Sequence, residues 1–193
     1  MLLVTLKKIQ NLMLPLPVSL VTCRSKKGDE STDNIIPLSW VGIVEYQPHL
    51  VNIVIGKGKH SARIIEKTRE FGICIATVDM MEKVDICGYT HGDKVDKFKL
   101  TGLTKVTAEK IDVSLIKECP ICMECIVEKV ITLKIHEMFI GKVLATHIND
   151  NYLLEGEEPD IKKMDILCYV NDQYWSLGKR LENLYYSKNK IGK

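Results

Sequence analysis

Nowhere does the chain offer the run of about 18 uncharged apolar residues that a membrane-spanning helix requires. Its apolar stretch from Leu12 to Val21 is broken by Pro15 and Pro17. Excess charge is missing too: 27 Lys and Arg against 25 Asp and Glu leave a net +2. No strong field therefore draws the protein to nucleic acid or to a membrane surface. There is no G-x-G-x-x-G and no regular βαβα alternation, which excludes a Rossmann sheet. Internal repeats and low-complexity tracts are absent. Met1 to Leu6 is apolar but short, Lys7 and Lys8 follow it, and no small-residue cleavage site appears. A secretion signal is not expected, and the cytoplasm is the expected compartment. The seven cysteines are an odd number, which speaks against a disulfide scaffold and for reduced, partly buried thiols.

What is present is ordinary in bulk: 46% hydrophobic and 27% charged residues, the balance of a globular protein. The length suits one domain over residues 1–193, with its core at about 12–181. Val18 to Cys23 reads as a first strand, Arg24 to Asp33 as a polar turn, and Ile35 to Tyr46 as an extended stretch interrupted at Pro37. Leu50 to Ile55 follows as a strand. Ser61 is a favourable N-cap for a helix whose apolar stripe is Ile64, Ile65, Thr68 and Phe71 and which Gly72 ends. Asp79 starts a second short helix, and Asp93 to Phe98 forms a helical turn. Beyond Gly102 the pattern is β-rich, with strands at Met123 to Ile135, Phe139 to Ile148 and Tyr152 to Leu154. Asn171-Asp172-Gln173 reads as a hairpin turn between Cys168-Tyr169-Val170 and Tyr174 to Leu177. Many short strands with few helices predict an α+β or mainly β fold, and closure into a barrel would remove the exposed edges.

Two stretches carry the chemistry. Asn34-Ile35-Ile36-Pro37-Leu38-Ser39-Trp40-Val41-Gly42 crowds Asn, Pro, Ser and Trp where a core strand has no need of them. Lys59-His60-Ser61 opens a helix, where free N–H groups, the positive dipole end and a lysine make an anion site. A capped helix with a solvated lysine also accounts for Lys59 and Ser61, and a bulged strand accounts for Pro37. Trp40 by itself reads as core. Together, the stretches fit a flat, phosphorylated ligand. Asn34 and the N–H groups around Ile35 and Ile36 would serve the polar edge of a flavin, Ser39 its ribityl chain or phosphate, and Lys59, His60 and Ser61 its phosphate.

These motifs, with Pro15-Leu16-Pro17-Val18, Glu70-Phe71, Asp96-Lys97-Phe98, Gly102-Leu103-Thr104, His136-x-x-Phe139-Ile140-Gly141-x-Val143 and Tyr174-Trp175-x-Leu177-Gly178, stand in one order. In that order the sequence resembles the flavin reductase-like, FMN-binding split-barrel family, above all its flavoredoxin-type branch. The resemblance runs from about Pro15 to about Leu181. It implies a mainly β, Greek-key split β-barrel with short peripheral helices, an FMN cofactor, and a homodimer with flavin near the subunit interface. It also implies transfer of reducing equivalents from NADH or NADPH to flavin, or exchange of electrons with a redox protein partner. The cofactor would carry the chemistry, so no catalytic acid–base pair is expected; Trp40 would shape the pocket wall and His136 would contact nicotinamide. Lys59 stands where the family commonly has Arg, and Lys134 and Ile135 precede His136 where a small residue is common.

Cys119-Pro120-Ile121-Cys122-Met123-Glu124-Cys125 resembles part of an iron–sulfur ligand set. Residues three apart on a strand face opposite sides, and no fourth cysteine stands at matching spacing, so no metal site is expected. The alternative reading is a flavin or metal-binding electron carrier with ligands from Cys119, Cys122 and Cys125.

Overall fold

The computed structural model describes residues 7, 10–27, 30–155 and 158–188. In chain order its strands and helices are β1 (Leu16–Pro17), β2 (Ser19–Lys27), β3 (Glu30–Leu38), β4 (Val41–Tyr46), β5 (His49–Gly56), α1 (His60–Thr68), β6 (Glu70–Ile75), α2 (Met81–Tyr89), α3 (Lys97–Thr101), β7 (Lys105–Thr107), β8 (Ser114–Ile116), β9 (Ile121–Thr132), β10 (His136–Ile148), β11 (Leu167–Val170) and β12 (Gln173–Ser176). Seven strands form one antiparallel sheet in the order β3-β2-β6-β9-β10-β5-β4.

The margins of this sheet, β3 and β4, are successive in the chain and joined by Ser39 and Trp40 alone. Such a link reaches about 10 Å at most, whereas seven strands laid flat would hold their margins roughly 29 Å apart. The sheet therefore rolls until its margins meet, giving a barrel with a slit. Non-consecutive neighbours (β2 beside β6, β6 beside β9, β10 beside β5) make it a Greek key. The fold is the mainly β split barrel that the sequence led us to expect.

Alternation along the strands builds two cores. Phe71 and Ile73 of β6 face inward with Val21, Cys23, Ile53, Ile55, Cys125 and Phe139, and Ala62, Ile64 and Ile65 of α1 join them. On the outer face Leu20, Ile35, Cys74 and Cys122 pack under Met80, Val84 and Cys87 of the α2 region, Phe98 of α3, Leu115 and Ile116 of β8, and Leu167 of β11. Strands covered on both faces read as continuous apolar runs, which is why β2 is legible from Val18 to Cys23, whereas the start of β6, Glu70 to Gly72, reads as the end of the preceding helix. At the β10 bulge, Gly141 lies against the Phe71 ring. A Cβ there would fall inside van der Waals contact with the ring edge, so the inner core needs glycine at this position.

Several boundaries differ from expectation. Arg24 to Lys27 and Glu30 to Asp33 are not a turn but the far half of a long hairpin. Arg24 and Asp33 are cross-strand partners there, with Arg24 Nε 2.8 Å from Asp33 Oδ1. The tip, residues 28–29, lies outside the described residues. Pro37 does not break β3. It sits within that margin strand, and the break falls at Ser39–Trp40. Helix α1 begins at His60 with Lys59 as N-cap, so Ser61 lies inside the first turn. The helix ends through Arg69 in a left-handed conformation (φ 63°), its N–H bonding Ile65 O, while Gly72 lies within β6. The third helical turn starts later than expected, with Asp96 capping Lys97–Thr101. Asp150–Tyr152 is a 3-10 turn, and Leu153 makes only an isolated bridge to Pro159. The β11–β12 hairpin stands as expected, with Asn171 and Asp172 both at positive φ.

Candidate functional site

The slit of the barrel, where β3 passes the head of α1, gathers most of the residues singled out in the sequence. The side chain of Asn34 reaches across from β3, and its Nδ2 donates to Ser61 Oγ at 2.8 Å. Both residues are buried. Asn34 Oδ1 is buried as well and has no hydrogen-bond partner among the described residues, a costly state for an amide oxygen. Gly92 makes room for this amide, since any Cβ there would overlap it.

The start of α1 carries unused donors. Amides of a helix's first turn have no intrahelical acceptor, and no side chain caps them here. With Lys59, His60 and Ser61 from this turn, Asn34 and Ile36 from β3, and Thr90, His91 and Gly92 from the loop after α2, they surround a cleft of about 50 Å³.

Lys97, to which the sequence reading gave no role, lines the same cleft. It is only 4% exposed, and its Nζ donates to Ile35 O at 2.8 Å and Cys87 O at 2.6 Å. Burial pulls its pKa below the usual lysine value; the thiols of Cys87 and Cys23 oppose that shift, and the charge of Lys59 reinforces it. Among the described residues neither Lys59 nor Lys97 forms an ion pair with a carboxylate. The cleft is a positively charged recess without its own counter-ion.

The bond from Lys97 also fixes how β3 presents its edge. The carbonyl of Ile35 points away from β2, so the Ile35 peptide lies on the free margin of the sheet. By the alternation of an antiparallel ladder, the Ile36 peptide is then turned into the pairing with β2. Of these two N–H groups, therefore, Ile35 alone faces the slit. The Ile35 side chain is core, and Ile36 contributes its side chain to the cleft wall.

Further along β3 a second depression, of about 220 Å³, is lined by Pro37, Leu38, Ser39, Trp40, Val54, Gly56 and His136. Ser39 belongs here and not to the charged recess. Trp40 is 46% exposed rather than core, and its ring lies 5.0 Å from that of His136 at a tilt of 43°. The Gly56–Lys59 turn joins the two depressions, with Lys59 N–H bonded to Gly56 O at 3.2 Å. The result is a groove with a cationic end and an aromatic end. Larger clefts exist, of about 710 Å³ near Ile161 and Leu177 and about 550 Å³ beside Arg63 and Lys67. Neither joins buried unpartnered polar groups to unbalanced charge as this groove does.

The cysteine run does not form one site. Cys119 and Cys122 belong to the outer core, whereas Cys125 points into the barrel. Among the described residues no group of three His, Cys, Asp or Glu side chains is disposed to hold a metal ion. That geometry overturns the alternative in which Cys119, Cys122 and Cys125 ligate a metal together. No helix of the described residues is long and apolar enough to cross a membrane.

Lys97 stood in plain view within Asp96-Lys97-Phe98, but a single helical turn is too short for periodicity to show that one lysine points inward. Gly92 carried no signal at all, because its role is set by Asn34, distant in sequence.

Comparison with known proteins points one way. The family model described as flavin reductase like domain matches residues 12–178. The fold superimposes on the flavoredoxin of Desulfovibrio vulgaris (Miyazaki F) with a TM-score of 0.87 and 25% identity, covering 96% of this chain and 100% of that one. For the flavoredoxin from Methanosarcina acetivorans the TM-score is 0.86, at 28% identity over 98% of this chain and 100% of that one. An uncharacterized protein of Pyrococcus abyssi is 32% identical over 165 residues, 86% of this chain and 90% of its own length.

Proposed function

The chain belongs to the flavin reductase-like domain family, and from that premise we propose that it is an FMN-binding oxidoreductase. In this reading it passes reducing equivalents between NADH or NADPH, or a redox protein partner, and the flavin. The observation that carries the proposal is the charged recess: two lysines without a carboxylate, uncapped helix amides and a buried amide oxygen left without a donor. A phosphate dianion answers the positive charge. A sugar hydroxyl next to that phosphate would give Asn34 Oδ1 the hydrogen it lacks. The recess has room for one phosphate, which favours FMN over FAD.

Each residue then has a distinct task. Lys59, Lys97, Ser61 and the first-turn amides hold the phosphate. His60 flanks it. The outward-facing Ile35 peptide offers its N–H at the open margin to the polar edge of the ring system, and Ser39 lines the path towards Trp40. Trp40 and Pro37 form an apolar wall, and His136, packed on Trp40, is placed to meet a nicotinamide. Bound flavin supplies the two-electron chemistry, which is why the groove needs no nucleophile. The seven thiols, all free, suit a reducing compartment such as the cytoplasm.

Purified protein should show the absorbance of oxidised flavin. Under anaerobic conditions NADH or NADPH should bleach it within turnover times if the protein is a reductase. Bleaching by a reduced redox protein but by neither nucleotide would make it a carrier. A colourless protein that takes up no added FMN would refute the proposal. Lys59→Ala combined with Ser61→Ala removes two charge-assisted contacts of about 1.5–3 kcal/mol each. FMN affinity should fall roughly 100-fold or more, as read by quenching of flavin fluorescence.

A homodimer is part of the same proposal. The margin strand β4 leaves Ile43 and Tyr46 each 70% exposed, and the segment after β12 exposes Leu181 and Leu184. Apolar surface of this kind marks an interface. Sedimentation should give twice the chain mass of 21.9 kDa, and Ile43→Asp with Tyr46→Asp should return it to the single-chain value.

A further inference from the structure

Three thiols form a cluster that the flavin groove does not use. Cys74 of β6 stands directly opposite Cys122 of β9. Ala76 N–H bonds Val18 O at 3.0 Å, and Val127 N–H bonds Arg69 O at 2.8 Å. Followed along both ladders, the antiparallel alternation makes Cys74 and Cys122 a non-hydrogen-bonded pair. The Cα atoms of such a pair lie about 4.5 Å apart, inside the range that a disulfide spans without backbone movement. Cys119 completes the cluster from the turn before β9. The three thiols pack together in the outer core. Cys119 Sγ also lies 4.0 Å from Met80 Sδ, and Cys122 Sγ 3.4 Å from Ile116 O.

This cluster has a path to solvent. Cys119 and Cys122 line a cleft of about 310 Å³ whose wall also includes Lys117, His147 and Asn149. Cys122 is 5% exposed, Cys119 2% and Cys74 not at all. Cys122 thus lines a cleft sized for a small solute, not for another protein's cysteine.

The remaining deeply buried cysteines behave as small hydrophobes. Burial pushes the thiols of Cys23 and Cys125 up to about 12 and that of Cys87 up to about 11. Cys122 departs from them. The neighbouring thiols of Cys119 and Cys74 outweigh its burial, with a further contribution from His147, so it is drawn well below the ordinary thiol range. Burial pushes Cys74 and Cys119 the other way. A thiolate flanked by protonated thiols is the arrangement of an attacking sulfur beside a resolving one.

We propose that Cys122 is a peroxide-reactive cysteine and that Cys74, across the ladder, closes a disulfide with it. The Cys122 thiolate attacks one oxygen of hydrogen peroxide. An S–O bond forms, the O–O bond breaks, and the departing hydroxide takes a proton from solvent to become water. The Cys74 sulfur, giving up its proton, then attacks the Cys122 sulfenic acid. The S–S bond forms, the S–O bond breaks, and the hydroxyl leaves with that proton as a second water. Two thiols are oxidised by two electrons, and one peroxide is reduced to two waters. Cys119 flanks Cys122 in the same packed cluster. The proposal does not rest on the flavin reading.

Fully reduced protein is treated with a small excess of hydrogen peroxide, alkylated after unfolding, digested with trypsin and mapped by mass spectrometry. Free thiols should fall from seven to five per chain. The peptide holding Cys74 should be joined to the one holding Cys119, Cys122 and Cys125. Cys119→Ser and Cys125→Ser should keep that linkage, and Cys122→Ser should abolish it. Cys74→Ser should instead leave a sulfenic acid on Cys122 that dimedone traps. Circular dichroism of each variant confirms that it is folded. Seven free thiols after treatment of the folded protein, a linkage that persists in Cys122→Ser, or a loop closed within the second peptide would each overturn the proposal.

Discussion

Lys97→Met protein folds but is purified without flavin. Methionine matches the lysine stem in length and cannot donate. In the native protein the ammonium is buried and satisfies the carbonyls of Ile35 and Cys87, while the charge of Lys59 works against it. A phosphate dianion is the counter-charge this arrangement lacks. Truncating one partner of a buried charged pair costs about 2–5 kcal/mol, so FMN affinity should fall roughly 30- to 4000-fold. The two carbonyls left without a donor lower stability as well, by about 1–3 kcal/mol each, and a denaturation curve separates that loss from the loss of binding. The pH dependence offers an independent check. Free Lys97 has a lowered pKa, and a bound phosphate favours its charged form. Affinity should therefore be full below the free-state pKa and decline as pH rises through it. A Lys97→Met protein that binds FMN within threefold of the native chain would remove Lys97 from the site.

The largest loss of stability is expected at Glu124. Its carboxylate is fully buried on the outer face of β9. It accepts from the amides of Glu109 at 2.8 Å, Lys110 at 2.6 Å and Ile111 at 3.1 Å. His147 Nε2 adds a contact of 2.6 Å. Burial alone would raise its pKa; the Glu109 and Lys110 amides and His147 outweigh it and hold the carboxyl below the usual range. Glu124→Ala strands those amides and frees the loop that precedes β8. Breaking a buried charged network of this kind costs about 3–5 kcal/mol, a large share of a domain's stability. The urea midpoint should fall accordingly. Because the folded-state pKa is depressed, the stabilisation is fully present above the unfolded-chain value near 4.5. It fades as pH falls through the lower folded-state value. The native chain should therefore lose more stability in that acid window than Glu124→Ala, in which Asp33 and Asp112 still titrate. Equal acid sensitivity in both would refute the assignment.

How far the fold could be read from sequence depended on burial. Strand β2 is buried on both faces, and its apolar run announces it; the start of β6 is hidden because Phe71 continues the helical spacing of Ile64, Ile65 and Thr68. The far half of the β2–β3 hairpin did not, because Arg24 and Asp33 find each other across the ladder and look like turn residues until the pairing is known. Serine at the head of a helix usually caps it, but the Ser61 hydroxyl is claimed by Asn34, 27 positions away. The groove's own residues, Asn34, Ser39, Trp40, Lys59, His60, Ser61 and His136, stood out by being out of place in a core. Lys97 and Gly92 did not, since what makes them matter is a neighbour that only the folded chain supplies.

The seam between β3 and β4 has one last consequence. A dipeptide stitches the two margins of the cylinder together, and the groove lies along that stitch. Any molecule seated there bridges β3 and the Gly56–Lys59 turn and works as a clasp, so ligand release and loosening of the cylinder on that side become a single event rather than two. Amide hydrogens of β3 and of that turn should then exchange with solvent faster in step with every loss of the occupant, while the opposite wall around β6 and β9 stays silent.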